Sequence, residues 1–272
     1  MKPTSVVIVL VIAIGHFSSH AFVSLPCILP LSEKAKFTSS HLLPTDIITS
    51  TEIDPPPATH QVGLYIHIPY CRRRCRYCNF SIIPIGSRPK DDSQASQAFL
   101  EMDRNYTDAL LQELTNTPIP HETTLVSVYL GGGTPSLAPV ESIQRILEAV
   151  RRFRLAPDAE ITMEMDPGTF SLAQAQALRE LGVNRISLGV QSFHDGMLES
   201  LGRVHRYKDI VSALSILETV FGDDLNYSID LISGLPGLSL AGWAETLEMA
   251  TNLKPRPTHM SLYDLQVESV SH

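Results

Sequence analysis

Past residue 61 the chain repeats one alternation. A short apolar run rich in β-branched and aromatic residues is followed by a longer stretch whose apolar residues return every three or four positions. The first kind of segment reads as a strand, the second as an amphipathic helix. Strands are predicted over 62–68 (stopped by Pro69), 125–130, 161–165, 185–190, 227–232 and 259–263. The intervening helical faces are Phe99, Met102, Tyr106 and Leu110, then Val140, Ile143, Leu147 and Val150 behind Pro139 as first helical residue. Leu172, Ala175, Leu178 and Leu181 lead to a capping Gly182, and Ile210, Leu214, Leu217 and Phe221 lead to Gly222. Trp243, Leu247 and Ala250 form the last face.

Strands joined through helices must run parallel, with the helices outside the sheet. Six such units predict an α/β fold, a partial (β/α)6 barrel in preference to an open doubly wound sheet, over residues 62–268. No repeat of fixed period interrupts it. Chemistry on such a scaffold gathers at the C-terminal strand ends. There lie a cysteine loop after the first strand, Gly131-Gly132-Gly133-Thr134-Pro135 after the second, and Glu164 at the end of the third. Gln191 follows the fourth, and Asp230 closes the fifth.

The opening of the chain has a different pattern. Lys2, an apolar run over 6–14 and Ser19-His20-Ala21 have the layout of a signal peptide over residues 1–21, the run being too short to span a bilayer; a buried core strand is the alternative reading of the run. Residues 22–61, rich in Ser, Thr and Pro, read as a disordered transit peptide and linker. Ala21-Phe22 resembles the bipartite leaders of algae with secondary plastids, which implies a plastid destination. Mitochondrial targeting is the alternative, weakened because no Arg precedes Arg72. A formal net charge of -8 argues against general nucleic-acid binding. A small molecule or another protein is the expected partner.

Cys71, Cys75 and Cys78 are spaced C-x₃-C-x₂-C, with no fourth cysteine nearby. Three thiolates can hold three irons of a 4Fe–4S cluster and leave the fourth open, whereas electron-carrying sites use four. A zinc site with His67 as fourth ligand is the alternative on spacing. Arg72, Arg73, Arg74 and Arg76 are expected either to offset the thiolates and an incoming carboxylate or to form a solvated basic loop. The glycine run lacks dinucleotide and phosphate-loop spacing, and reads either as a loop whose amides are free for a ligand or as a tight turn leading to the Pro139 helix. Glu164, Gln191, Arg203 and Asp230 together offer acceptors for an ammonium and ribose hydroxyls, and a cation for a carboxylate. His194 and His205 are expected to be polar loop residues before acid–base groups or metal ligands.

Tyr65-Ile66-His67-Ile68-Pro69-Tyr70 ahead of the cysteines, Leu130–Ser136, Met163–Gly168, Asn184–Phe193, Asp230–Gly237 and Ser261–Leu265 form an ordered set. It resembles the radical S-adenosylmethionine superfamily, within the group containing oxygen-independent coproporphyrinogen III oxidase. The resemblance implies that Cys71, Cys75 and Cys78 ligate a 4Fe–4S cluster. It also implies that Tyr65, Gly132, Gly133, Thr134, Glu164, Gln191, Arg203 and Asp230 contact S-adenosylmethionine. Where the oxidases carry a further cysteine this chain has Phe80, and Asn79-Phe80 is similar to the haem-chaperone branch. A haem chaperone of tetrapyrrole metabolism is therefore expected, with a haem-recipient protein and an electron donor as partners and no stable membrane span. The oxidase, decarboxylating coproporphyrinogen III, and a carrier with a structural cluster are the alternatives. A zinc-stabilised scaffold is a fourth reading. The resemblance also implies a C-terminal domain closing the substrate face, beyond the point where this sequence stops.

Overall fold

The computed structural model describes residues 6–10, 27–30, 61–86, 96–118 and 123–265. Its strands are β1 (Val6–Leu10), β2 (Cys27–Pro30), β3 (Gln61–Ile68), β4 (Tyr70–Cys71), β5 (Ile83–Pro84), β6 (Thr124–Gly132), β7 (Arg154–Met165), β8 (Arg185–Gln191), β9 (Tyr227–Ser233) and β10 (His259–Asp264). The helices are α1 (Gln97–Asn116), α2 (Val140–Val150), α3 (Leu172–Glu180), α4 (Asp195–Ser200), α5 (Tyr207–Phe221) and α6 (Leu240–Thr251). The main sheet runs β10-β9-β8-β7-β6-β3-β1-β2, and β3 and β6 to β10 are all parallel to their neighbours. These six strands make the expected half-barrel with helices on its outside.

Strand alternation divides the sheet into two chemically different faces. Outward-pointing Leu64, Ile66, Val128, Leu130, Ile186, Leu188, Ile229 and Leu231 are fully buried in one core with the helices. The intervening residues are mostly polar and face the concave side. Arg185 there donates to Thr162 Oγ1 (3.4 Å) and Ser228 Oγ (3.1 Å), and Ser228 donates to Ser187 Oγ (3.2 Å). A closed barrel of this strand type fills its interior with branched aliphatics; an open one leaves room for polar groups and a ligand.

Helix starts follow local chemistry. Ser96, Ser171 and Ser239 each accept a hydrogen bond from the backbone N–H three residues on, capping α1, α3 and α6. Pro139 is one position outside its predicted place: with ψ 140° it caps α2 instead of starting it. Gly182 sits just past α3 at φ +101°, where a side chain would be strained.

Two pieces of the stretch expected to be a disordered leader are described, and both are strands. Val6–Leu10 adds in parallel to the β3 edge, and Cys27–Pro30 pairs antiparallel with it. An apolar, β-branched run is suited to an open sheet edge. The cleavage pattern at 19–21 and the rest of the linker lie outside the described residues.

Candidate functional site: a cysteine loop over a polar half-barrel

The cysteine loop is tied down at both ends. Pro69 stops β3, after which Tyr70 and Cys71 pair with Ile83 and Pro84, so β4 and β5 clip the loop shut. Ile83 N–H donates to Pro69 O (2.8 Å) and Ile85 N–H to Cys71 O (2.8 Å). Arg76 N–H reaches Leu201 O at 3.0 Å, fixing the loop to the segment after α4.

Of the four loop arginines, Arg73, Arg74 and Arg76 are exposed to solvent, and all four also bond backbone carbonyls. Arg72 donates to Gly168 O (2.8 Å), Arg73 to Arg203 O (2.8 Å) and Arg76 to Ser200 O (3.1 Å). Arg74 donates to Cys78 O (3.2 Å) and Phe80 O (3.0 Å), within its own loop. They staple a loop that has almost no regular structure of its own by donating to its carbonyls and to those of neighbouring segments.

Gly131, Gly132 and Gly133 form the second wall, and the expectation of free amides there is overturned. Gly132 N–H donates to Glu164 Oε2 (2.9 Å) and Gly133 N–H to Ile68 O (2.8 Å), while Thr134 N–H donates to Tyr70 O (2.6 Å). The glycines are there for close approach. A Cβ on Gly133 would stand 2.7 Å from the Pro69 and Tyr70 backbone, and one on Gly132 2.5 Å from the His67 ring.

Between the loops and the concave sheet lies a cavity of about 790 Å³. All three cysteines open onto it, as do Gly132, Gly133, Thr134, Glu164, Gln191, Arg203 and Asp230. Tyr65 does not line it. Its hydroxyl bonds His67 Nδ1 (3.1 Å), and its ring stacks on Tyr129 and lies 3.0 Å from where a Cβ on Gly131 would be, so it packs beside the start of the glycine run. Asp230 is three residues short of the end of β9, and Ser187 Oγ donates to it at 3.3 Å. Gln191 ends β8 at φ +65°, a left-handed conformation that is strained for a side-chain-bearing residue.

Burial dominates the electrostatics. Glu164 accepts from Tyr129 Oη (2.9 Å) and from Gly132, yet burial, with Asp230 and Asp166 nearby, lifts its pKa to about 7. Burial also raises the Cys71 thiol to about 12, against a hydrogen bond from Thr134, and raises Cys75 against the Arg203 charge. Thiols this reluctant to ionise alone need a metal cation's field to hold them as thiolates. Arg203 is buried but keeps its charge through Asp166, to which Nη2 donates. His205 is pushed down to about 4 by burial and by Arg203, and its Nε2 meets Val190 O (3.1 Å). His205 lines the cavity, and His194 does not.

The zinc alternative loses its fourth ligand, since both ring nitrogens of His67 are engaged, Nδ1 by Tyr65 and Nε2 by Ser81 O (2.8 Å). Among the described residues no three His, Cys, Asp or Glu side chains converge to hold a single ion. A polynuclear cluster does not need that convergence, because each thiolate meets a different iron. The donor set therefore fits an iron–sulfur cluster better than mononuclear zinc.

Three residues absent from the sequence expectation belong to the site. Asp166 follows Glu164 on the same strand face by the period of two, a signal available in the sequence. Tyr77 sits inside the cysteine spacing, and Arg203 Nη1 donates to its hydroxyl at 3.3 Å. Gly189 leaves space for the Asp166 carboxylate and accepts from Arg203 Nη2 (3.0 Å).

The radical SAM superfamily profile matches residues 65–250. The chain belongs to the radical SAM superfamily. That superfamily is characterised by S-adenosylmethionine and a 4Fe–4S cluster. Among curated relatives, heme chaperone HemW of Synechocystis sp. is 42% identical over 208 residues, 75% of this chain and 47% of the relative. Radical S-adenosyl methionine domain-containing protein 1, mitochondrial, of Bos taurus is 35% identical over 216 residues, 79% of this chain and 45% of the relative. Coproporphyrinogen III oxidase (HemN) from Escherichia coli has a similar structure, with TM-score 0.63, 27% identity, 77% of this chain covered and 45% of the oxidase. The chain spans about half the length of the curated relatives it matches.

Proposed function

We propose that the chain is a radical S-adenosylmethionine protein of haem and tetrapyrrole metabolism, of the haem-chaperone type. The observation that carries this reading is the opening of Cys71, Cys75 and Cys78 onto the same cavity as the polar strand-end groups. In it each cysteine binds one iron of a 4Fe–4S cluster whose fourth iron stays open to the amino-acid end of S-adenosylmethionine. Held there and reduced by an electron donor, such a cluster would supply the electron that splits the sulfonium. The protein's own part is to bind and orient. Glu164 accepts from the ammonium, its pKa falling as the cation arrives. Asp230 and Gln191 face the ribose, Arg203 and Thr134 the carboxylate side, and Gly132 and Gly133 give the ligand a wall without side chains. Tyr65 acts by fixing that wall.

The cargo is haem. Phe80, Leu262 and Tyr263 stand 64%, 51% and 54% exposed at the cavity edge, beside Arg73 and Arg74. A flat apolar ring with carboxylate side chains matches such a rim. Oxidation of coproporphyrinogen III is the second reading, favoured by the structural likeness to the oxidase. Phe80 in place of a further cysteine, and the greater identity to heme chaperones, support the chaperone. A carrier with a merely structural cluster is a third. We place the protein in a plastid by its leader; a mitochondrial relative makes that organelle the alternative. Among the described residues no helix is long and apolar enough to cross a membrane.

Anaerobic reconstitution followed by parallel assays tests the proposal. It expects about four irons per chain, S-adenosylmethionine binding, and transfer of haem to an acceptor protein with no decarboxylated porphyrin. Decarboxylated product would establish the oxidase instead, and zinc uptake without iron would remove the radical chemistry altogether.

A further inference from the structure

Asp166 joins two side chains that each touch a different cysteine. Thr134 Oγ1 donates to Asp166 Oδ2 (3.2 Å) and lies 3.6 Å from Cys71 Sγ. Arg203 Nη2 donates to Asp166 Oδ1, while Nη1 of the same guanidinium reaches Cys75 Sγ at 3.9 Å. The result is a continuous chain from Cys71 through Thr134, Asp166 and Arg203 to Cys75. Space for it is reserved, because a Cβ on Gly189 would lie 2.4 Å from Asp166 Oδ1 and 3.4 Å from Arg203 Nη2. Arg203 is 7% exposed, so the guanidinium cannot turn to water without leaving a buried charge unpaired.

We propose that Asp166 is a positioning residue: it holds the Arg203 guanidinium against Cys75, draws the Thr134 hydrogen away from Cys71, and thereby sets the reduction potential of the cluster that these cysteines hold. The physics is that of charge and hydrogen bonds beside iron–sulfur ligands. Reduction adds a negative charge to the cluster, so a nearby carboxylate opposes it, and a guanidinium or hydroxyl donor at a ligand sulfur favours it. Asp166 does both things, opposing reduction by its own charge and by taking the Thr134 hydrogen, and promoting it through the guanidinium that it orients. Removal of its charge with the shape kept leaves Arg203 uncompensated, so the reduced state gains. The inference rests on the cluster reading, but not on S-adenosylmethionine cleavage or on haem as cargo.

The test is a redox titration of the reconstituted full chain, followed by electron paramagnetic resonance without S-adenosylmethionine, with iron content measured on each variant. Asp166→Asn should keep its iron and raise the potential by about 59 mV, a tenfold change in the oxidised-to-reduced ratio for one electron. Arg203→Met should lower it, and the double variant should return towards the parent value. Asp166→Ser, which removes the same charge, should also raise it, and carries the test if Asp166→Asn does not fold. An Asp166→Asn potential equal to the parent's, a shift in the same direction as Arg203→Met, or loss of iron from folded Asp166→Asn would overturn the proposal. So would an unchanged potential in Asp166→Ser. Failure of the parent chain to take up iron would instead refute the proposed function.

Discussion

The two faces of the sheet share strands and differ in everything else. On β8, Ile186, Leu188 and Val190 point outward into an apolar core, while Ser187, Gly189 and Gln191 point inward to the cavity. The outer face holds the fold through burial alone, and the inner face spends its polar groups on one another and on the loops. Stability and chemistry are thereby separated along a single strand by one-residue steps.

That separation can be broken first where the effect is greatest. Cys75→Ala should abolish cluster incorporation completely while the circular dichroism of the fold persists, since the loop is held by its arginines and by the β4–β5 clip. Iron analysis beside a thermal melt checks both halves. On the other face, Leu188→Ala, at a position with 0% exposure, should cost about 2–5 kcal/mol of unfolding free energy. Its folded fraction should still bind iron, as denaturant titration and iron content together would show.

Glu164 sharpens the comparison because its burial couples the inner face to stability. Its folded-state pKa of about 7 lies above the ordinary 4.5, so the unfolded chain releases the proton first. Stability from this group is complete below pH 4.5 and declines as pH rises through 7, by roughly 3 kcal/mol. Denaturant titrations from pH 4.5 to 8 should show that decline in the parent chain and a flatter profile in Glu164→Gln. Calorimetry should show S-adenosylmethionine binding more tightly above pH 7 than below it. The smallest effect is expected at Arg74, which is exposed and bonds only within its own loop. Arg74→Ala should change the unfolding free energy by no more than about 0.5 kcal/mol.

Most of the scaffold was legible in the sequence because outer-face burial imposes a period of two on strands and near 3.6 on helices. All six barrel strands fall where that pattern puts them, with the largest difference at β7, which starts at Arg154 ahead of its apolar half. The short α4 carries too few residues to show a period. At the site, residue types and spacing pointed to the cysteines, Glu164 and Arg203, but partners did not follow from type. Free amides at the glycine run and free charge on the arginines were expected because the sequence cannot show which carbonyls lie within reach. Asp166 lies opposite Arg203 only once β7 and β8 are side by side.

The last strand has a different bearing. β10 is paired with β9 on one side, no described strand lies on the other, and Met260, Leu262 and Tyr263 are exposed. Unpaired amides and carbonyls next to oily side chains are a template for any extended peptide that drifts by. Among the described residues, then, that edge leaves the sheet room to grow by one more extended strand.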